Sequence, residues 1–280
     1  MKRQQHLSPH TIRRSTSWPA GAPIVLLFAI GCQQPPAYDP MRLPDTLDKL
    51  PLVRTDQLPF DAHHVQGLIV TNRAYLISSV DTKQHRAWVF RVDRKTMRKV
   101  AEADLTNGPM YHPGGMDADG NTLWVPVAEY HRNGPSVIQQ LDIRSLKLLY
   151  EFSTDDHIGA VAKHNGVLYG ANWDARHIYA WTPKGQQLFK TVNRIRGRYQ
   201  DLDGRGPRLL AGGILNKKGV IDWIDPKSMT LEKRITTGRT PDGALYTREG
   251  ISLWRNQLYL MPEDGRSKIY VFQLPEKSTP

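Results

Sequence analysis

A single cysteine in 280 residues leaves no partner for an internal disulfide, which excludes the small folds that depend on such bridges. Long apolar runs are missing too. The one sustained stretch, positions 22–31, is too short to cross a bilayer as a helix. Acid is absent from the first 31 positions, which hold Lys2, Arg3, Arg13 and Arg14. Of 38 basic residues in all, 34 then remain against 27 acidic ones, scattered except for a knot at Arg194, Arg196 and Arg198. No nucleic-acid motif accompanies that charge, so a solvated surface is expected and nucleic acid is not an expected partner. Apolar residues make up 39% of the chain, enough for one sizeable core, and the expectation is one folded domain and a monomer.

What is present begins with a leader. A basic, Ser/Thr-rich start followed by the apolar run to Gly31 reads as a signal peptide over 1–31. Ala29-Ile30-Gly31-Cys32 resembles a bacterial lipobox, in which the cysteine is acylated and the mature chain is tethered to the membrane rather than spanning it. The alternative is an ordinary signal with an incidental Cys32. Prolines recur from Pro35 to Pro51, and residues 32–49 read as an extended tether, since proline fixes φ and removes a donor. Gln33 in place of an aspartate fits the periplasmic face of the outer membrane, if the cell has one. The cell envelope is the expected location.

The rest, 50–280, is organised by repetition. Tyr111 to Tyr130, YHPGGMDADGNTLWVPVAEY, reads as a β-hairpin: a polar start with a histidine and glycines, a short apolar segment, the turn Asp119-Gly120-Asn121, then an alternating strand. Counterparts start at His63, Asp156, Tyr199 and Arg248. Steps of roughly 45 residues lie in the range of propeller blades. The fold class expected is all-β, a five-bladed β-propeller. Inner strands are expected near Gly67–Val70, Gly115–Asp117, Ala160–Ala162 and Ile251–Trp254, with a poorly patterned one in blade four. Blade five runs out of chain one strand short, and Leu50–Leu58 can supply it by pairing first and last segments. Asp93, Asp142 and Asp225 open similar turns and are expected to bond backbone amides two residues on. Trp88, Trp181, Trp223 and Tyr270 are expected to pack between blades.

In such a ring the residues entering the inner strands converge on the axis. His64, His112 and His157 enter three consecutive blades at one apparent register, and with Glu249 they form a candidate metal set. Three imidazoles and a carboxylate suit a borderline divalent ion such as zinc or iron(II), calcium being the further candidate. Structural histidines bonded to neighbouring loops are the competing reading. Gln66, Tyr111, Asp201, Glu129, Trp173 and Asp174 are expected to border a pocket for a small polar ligand, with Asp201 a second source of carboxylate. Glu263-Asp264 beside Gly265 reads better as a turn.

HHVQGL, YHPGGMDADGNTLWVPVAEY, DHIGAV and EGISLW resemble, from about residue 50 to 275, a family of bacterial propeller proteins without an assigned activity. YHPGG and the WVPVAEY strand are the most specific part. More distantly, Gln66-Gly67-Leu68 resembles an element of five-bladed glutaminyl cyclases of plant type. Likeness to six-bladed gluconolactonase-like and strictosidine-synthase-like propellers is architectural. The lactonases hold metal with a glutamate, asparagines and an aspartate where this chain has histidines, so no catalytic residue carries over. The resulting expectation is a tethered propeller that binds a small polar molecule or one divalent metal at its axis. The alternatives are a metal-assisted hydrolase of lactonase or esterase type, a glutaminyl-cyclase-like enzyme, and an envelope scaffold with an occluded axis.

Overall fold

A computed structural model describes residues 39–263 and 266–275. The expected signal peptide, the acylated Cys32 and the first part of the tether lie outside them. Five antiparallel sheets follow one another around a ring. Blade one runs through His64–Val70, Ala74–Asp81, Arg86–Asp93 and Lys99–Asp104, from the axis outward. Blades three and four repeat the order, with inner strands Ile158–His164 and Arg198–Asp203. Blade five owns three strands, Glu249–Trp254, Gln257–Pro262 and Lys268–Gln273, and its outer place is taken by Leu52–Gln57. That strand pairs antiparallel with the last one, from Leu52 opposite Phe272 to Gln57 opposite Lys268, and so closes the ring as expected.

The strands follow from alternation. Second strands such as AYLISSVD are buried along their whole length between neighbouring blades, whereas outer strands such as KVAEAD are largely exposed. Trp124, Trp181 and Trp223 are fully buried where sheets face one another, and each such ring stabilises the fold by roughly 2–3 kcal/mol. The turn aspartates act as expected. Asp93 accepts from the amides of Lys95 and Thr96, Asp142 from Arg144 and Ser145, and Asp225 from Lys227 and Ser228.

Two expectations change. Residues 39–49 do not run out as an extended tether: Leu43, Leu47 and Leu50 are buried in the core of blades four and five. The amide of Thr236 donates to the carbonyl of Asp45 at 2.9 Å, fixing the segment along blade four's outer edge. Leucines spaced three and four apart find apolar cover there, which outweighs the extended preference of the prolines. Blade two's inner strand is not Gly115–Asp117 but two pieces, Met110–Pro113 and Asp117–Asp119, both paired with Thr122–Glu129. Gly115 leaves that sheet to bridge Ala160 of blade three. A β-carbon at Gly115 would stand 2.3 Å from Oδ1 of Asp201, so only glycine lets the chain pass.

Asp201 explains the crowding. Its side chain is fully buried and fills the ring's centre, Oδ2 accepting from the amides of Leu68 in blade one (3.1 Å) and Ile251 in blade five (2.9 Å). Asp117 does the same for Lys163 of blade three and Gly204 after blade four's inner strand, both at 2.8 Å. Asp203 accepts from Leu253 and is held by Arg205, which also donates to the carbonyl of Val70. These carboxylates satisfy inner-strand amides that have no further strand to pair with. Burial and the Asp203 charge push Asp117 up, against Arg205 and the two amides.

Candidate functional site

Above this filled centre the inner strands open onto a cavity of about 380 Å³. Their pairing with the second strands skips one residue in blades one, three and four: Gln66, Gly159 and Gln200. Such bulges re-aim side chains at the ends of strands, and all three residues line the cavity. Two positions before each bulge stand His64, His157 and Arg198. In blade two the skipped residue is Tyr111, so His112 sits one position after its bulge and not two before. His112 thus does not share the register expected from sequence, because the Gly114-Gly115 passage breaks that strand. It still lines the same cavity, with His64, His157 and Glu249.

The cluster with chemistry in it is His64, Glu249 and Glu263, whose donor atoms all lie within 4.8 Å of one another. Nδ1 of His64 is 2.8 Å from Oε1 of Glu263, close enough to pair as ions though not aligned as a hydrogen bond. Burial pulls His64 down, but the Glu263 and Glu249 carboxylates outweigh it and hold the imidazole above its ordinary value. Pairing with His64 draws Glu263 down. Glu249 is buried and held at φ 111°, a backbone setting that costs of order 1–3 kcal/mol for a residue with a β-carbon. Burial, with the Glu263 charge adding to it, pushes Glu249 up to about 7 against His64 and Arg248.

His157 and His112 place no donor atom in that cluster and form the facing wall. Nδ1 of His157 lies 2.9 Å from the carbonyl of Glu129 and 3.0 Å from that of His131. Carbonyls only accept, so this nitrogen carries the proton and Nε2 keeps the lone pair. Burial pushes His157 down to about 4. His112 stacks on Tyr130 at 4.2 Å between ring centres and lies 6.1 Å from Trp173. Burial, then the neighbouring His157 and His64, hold it well below its ordinary value, and its buried Nδ1 has no hydrogen-bond partner among the described residues. Both rings are neutral at pH 7.

The other expected residues divide. Gln66, Trp173 and Asp174 line the cavity. Asp174, in left-handed backbone, spends its charge on Arg198 (2.6 Å) and Arg132 (3.3 Å), so it positions a cation rather than offering an anion. Tyr111 stacks on His85 at 4.6 Å and touches Tyr130 edge-on, outside the cavity lining. Glu129 turns its carboxylate to His131 (2.6 Å) and contributes only its carbonyl, to His157. Asp201 lies beneath the floor with its oxygens occupied, so the ligand-contacting role expected for it is replaced by a structural one. Glu263, read from sequence as part of a turn, instead joins the cluster; it follows blade five's second strand as Trp173 follows blade three's, a correspondence that points to the rim. Arg198 and Gln200 were also missed, although Arg-Tyr-Gln repeats the spacing of His64-Val65-Gln66.

No curated protein sequence matches the chain. Among solved structures it is similar to the glutaminyl cyclase of Myxococcus xanthus, with a TM-score of 0.60 at 13% identity, over 81% of this chain and 97% of that one. A PQQ-bound aldose sugar dehydrogenase of Streptomyces coelicolor gives a TM-score of 0.44 at 10% identity, over 80% and 98% of the two chains. The Pan2 WD40 domain of Neurospora crassa gives 0.46 at 10%, over 84% and 98%. At 13% identity the likeness to the cyclase is one of fold alone. One family pattern matches residues 47–196, more than half of the chain, and the protein belongs to that family, DUF6454, a family of unknown function.

Proposed function

We propose that the axial cavity binds a small polar molecule with the help of one divalent ion held by His64, Glu249 and Glu263. The observation that carries this is the approach of three donor atoms to within 4.8 Å at the mouth of a cavity. One imidazole with two carboxylates suits zinc or iron(II), while calcium prefers oxygen alone. Two negative charges meet the ion's two positive ones, and positions left open could take a polar group of the ligand or activate water for hydrolysis. Trp173, Tyr130 and the stacked His112 offer flat apolar surface beside that point, and exposed Arg248 offers charge. Equilibration of the full chain with each metal, followed by removal of free ion and metal analysis, tests the reading. About one equivalent in the parent, lost in His64→Ala and Glu249→Gln, is expected. A parent that retains no metal, or a His64→Ala variant that keeps all of it, overturns it.

A second reading dispenses with the ion. A buried carboxyl pushed up to about 7 beside the His64–Glu263 pair has the setting of a general acid and base. Lactone or ester hydrolysis and ring closure of an amino-terminal glutamine are the reactions to try, the last because of the shared fold with the Myxococcus cyclase. Metal-independent turnover lost in Glu249→Gln would select this reading. The leader and lipobox add a location: a propeller tethered in the cell envelope through acylated Cys32. Cys32→Ser should release the protein from membranes, and continued membrane association counts against the tether.

A further inference from the structure

A larger cleft, of about 780 Å³, opens at the other end of blades one and five. Strand direction separates it from the axial cavity. Blade one's inner strand starts at His64 beside that cavity and runs to Val70 beside the cleft, and blade five's second strand runs from Gln257 at the cleft to Pro262 next to Glu263. Three turns build its walls, around Asn72, Asp93 and Arg255, together with Arg54 and Asp56 of the closing strand.

Its charge is one-sided. Arg54, Arg73, Arg94, Lys95 and Arg255 line it against Asp56 and Asp93. Both carboxylates are already committed. Asp56 pairs with Arg54 at 2.7 Å and accepts from the Tyr75 hydroxyl, and Asp93 is taken up by the amides of its own turn. Arg73, Arg94, Lys95 and Arg255 have no carboxylate in ion-pair range among the described residues. Arg94 is nonetheless fixed in place: it donates to the Thr71 carbonyl (2.7 Å) and the Tyr259 hydroxyl (2.8 Å), with its guanidinium 5.2 and 5.4 Å from the ring centres of Tyr75 and Tyr259. Its anchors are neutral, so it is oriented without being discharged. Among the described residues Arg255 is held only by Asn72 at 3.5 Å, and Arg73 and Lys95 are exposed.

Four cations against the one remaining charge of Asp93 leave the concavity with a net positive charge of about three, and an anion entering between them relieves their repulsion. A single carboxylate would leave most of the charge unmatched. A phosphate ester brings up to about two negative charges and oxygens that match the arginine fork. We infer that this cleft is a binding site for phosphate monoesters, carried either by a soluble sugar phosphate or by the headgroup of a phosphomonoester lipid. The site is independent of the axial cavity and of any metal there.

The test titrates the full chain with fructose 1,6-bisphosphate by calorimetry, and separately measures its co-sedimentation with phosphatidylcholine vesicles with and without phosphatidic acid. Contact of the amino-terminal segment with lipid is common to parent and variants, so their difference reports the cleft. Reversal of two exposed cations in Arg73→Glu/Arg255→Glu should weaken binding to the responding probe by about a hundredfold, each charged hydrogen bond contributing about tenfold or more. Arg144→Glu/Lys227→Glu, the same charge change in turns of other blades, should bind as the parent does. Lys95→Glu serves if the first double variant does not fold. Response to the bisphosphate or to the anionic vesicles identifies the source and supports the site. Binding of neither probe, or equal weakening by both double variants, overturns it.

Discussion

Replacement of Glu249 by glutamine should make the protein more stable at high pH, and the gain should disappear in acid. Glu249 is buried and titrates near 7 in the fold, against an ordinary 4.5. Below 4.5 both folded and unfolded chains carry the proton, and the group makes no difference. As pH rises from 4.5 to 7 the unfolded chain releases its proton and the fold holds on, so stability is lost, and above 7 the fold carries a buried charge. At 1.36 kcal/mol per tenfold, that gap is worth about 3 kcal/mol. Glutamine never ionises, so the variant escapes the loss. Whatever fixed cost its amide brings is the same at both ends of the range and cancels in the difference. His64, held up partly by the Glu249 charge, shifts the comparison in the same direction. Urea unfolding of both proteins with a chelator present, at pH 4.5 and pH 8, should show the variant gaining about 3 kcal/mol relative to the parent between the two. An unchanged difference, or one of opposite sign, would refute the assignment of Glu249 as a buried carboxyl poised to hold its proton.

The depression of His157 to about 4 means that its share of stability falls as pH drops from 6.5 to 4, so a His157→Asn variant, compared with the parent by urea unfolding at pH 6.5 and pH 4.5, should lose about 2–3 kcal/mol less on acidification. Asp201→Ala leaves the amides of Leu68 and Ile251 unpaired in the ring's centre and should cost about 2–6 kcal/mol in urea unfolding; a loss under 1 kcal/mol would show that those bonds do not hold the blades. Gly115→Ala drives a β-carbon into Asp201 and should cost about 1–3 kcal/mol. Gly120→Ala meets nothing within 4 Å and should cost only the strain of its positive φ, about 1 kcal/mol; thermal melts that rank the two the other way would count against the crowded axis. Removal of residues through 58 takes away the closing strand and the buried Leu43, Leu47, Leu50 and Leu58, and should give an aggregating chain without a cooperative melt.

What could be read from sequence was local. The Asp-x-Lys/Arg-Ser/Thr turns repeat because one aspartate satisfies amides two and three residues away, and the residue four on, Met97, Leu146 or Met229, takes positive φ each time. Ring closure was legible because a missing strand and a spare one are both counted along the chain. What was not legible depends on partners far away. The partners of Asp201 lie 133 and 50 residues off, and nothing near Tyr199-Gln200 distinguishes a carboxylate facing ligand from one facing backbone. The His112 register failed for a related reason: a chain that crosses from one blade to the next at Gly115 looks, in sequence, like a strand that continues.

The carboxylates at the hub have a consequence for traffic. A propeller is often pictured as a tube, but Asp117, Asp201 and Asp203 are buried at its middle and bound there to backbone amides of neighbouring blades. A molecule bound at the proposed axial site would therefore enter and leave by one face, the one that carries His64 and Arg248.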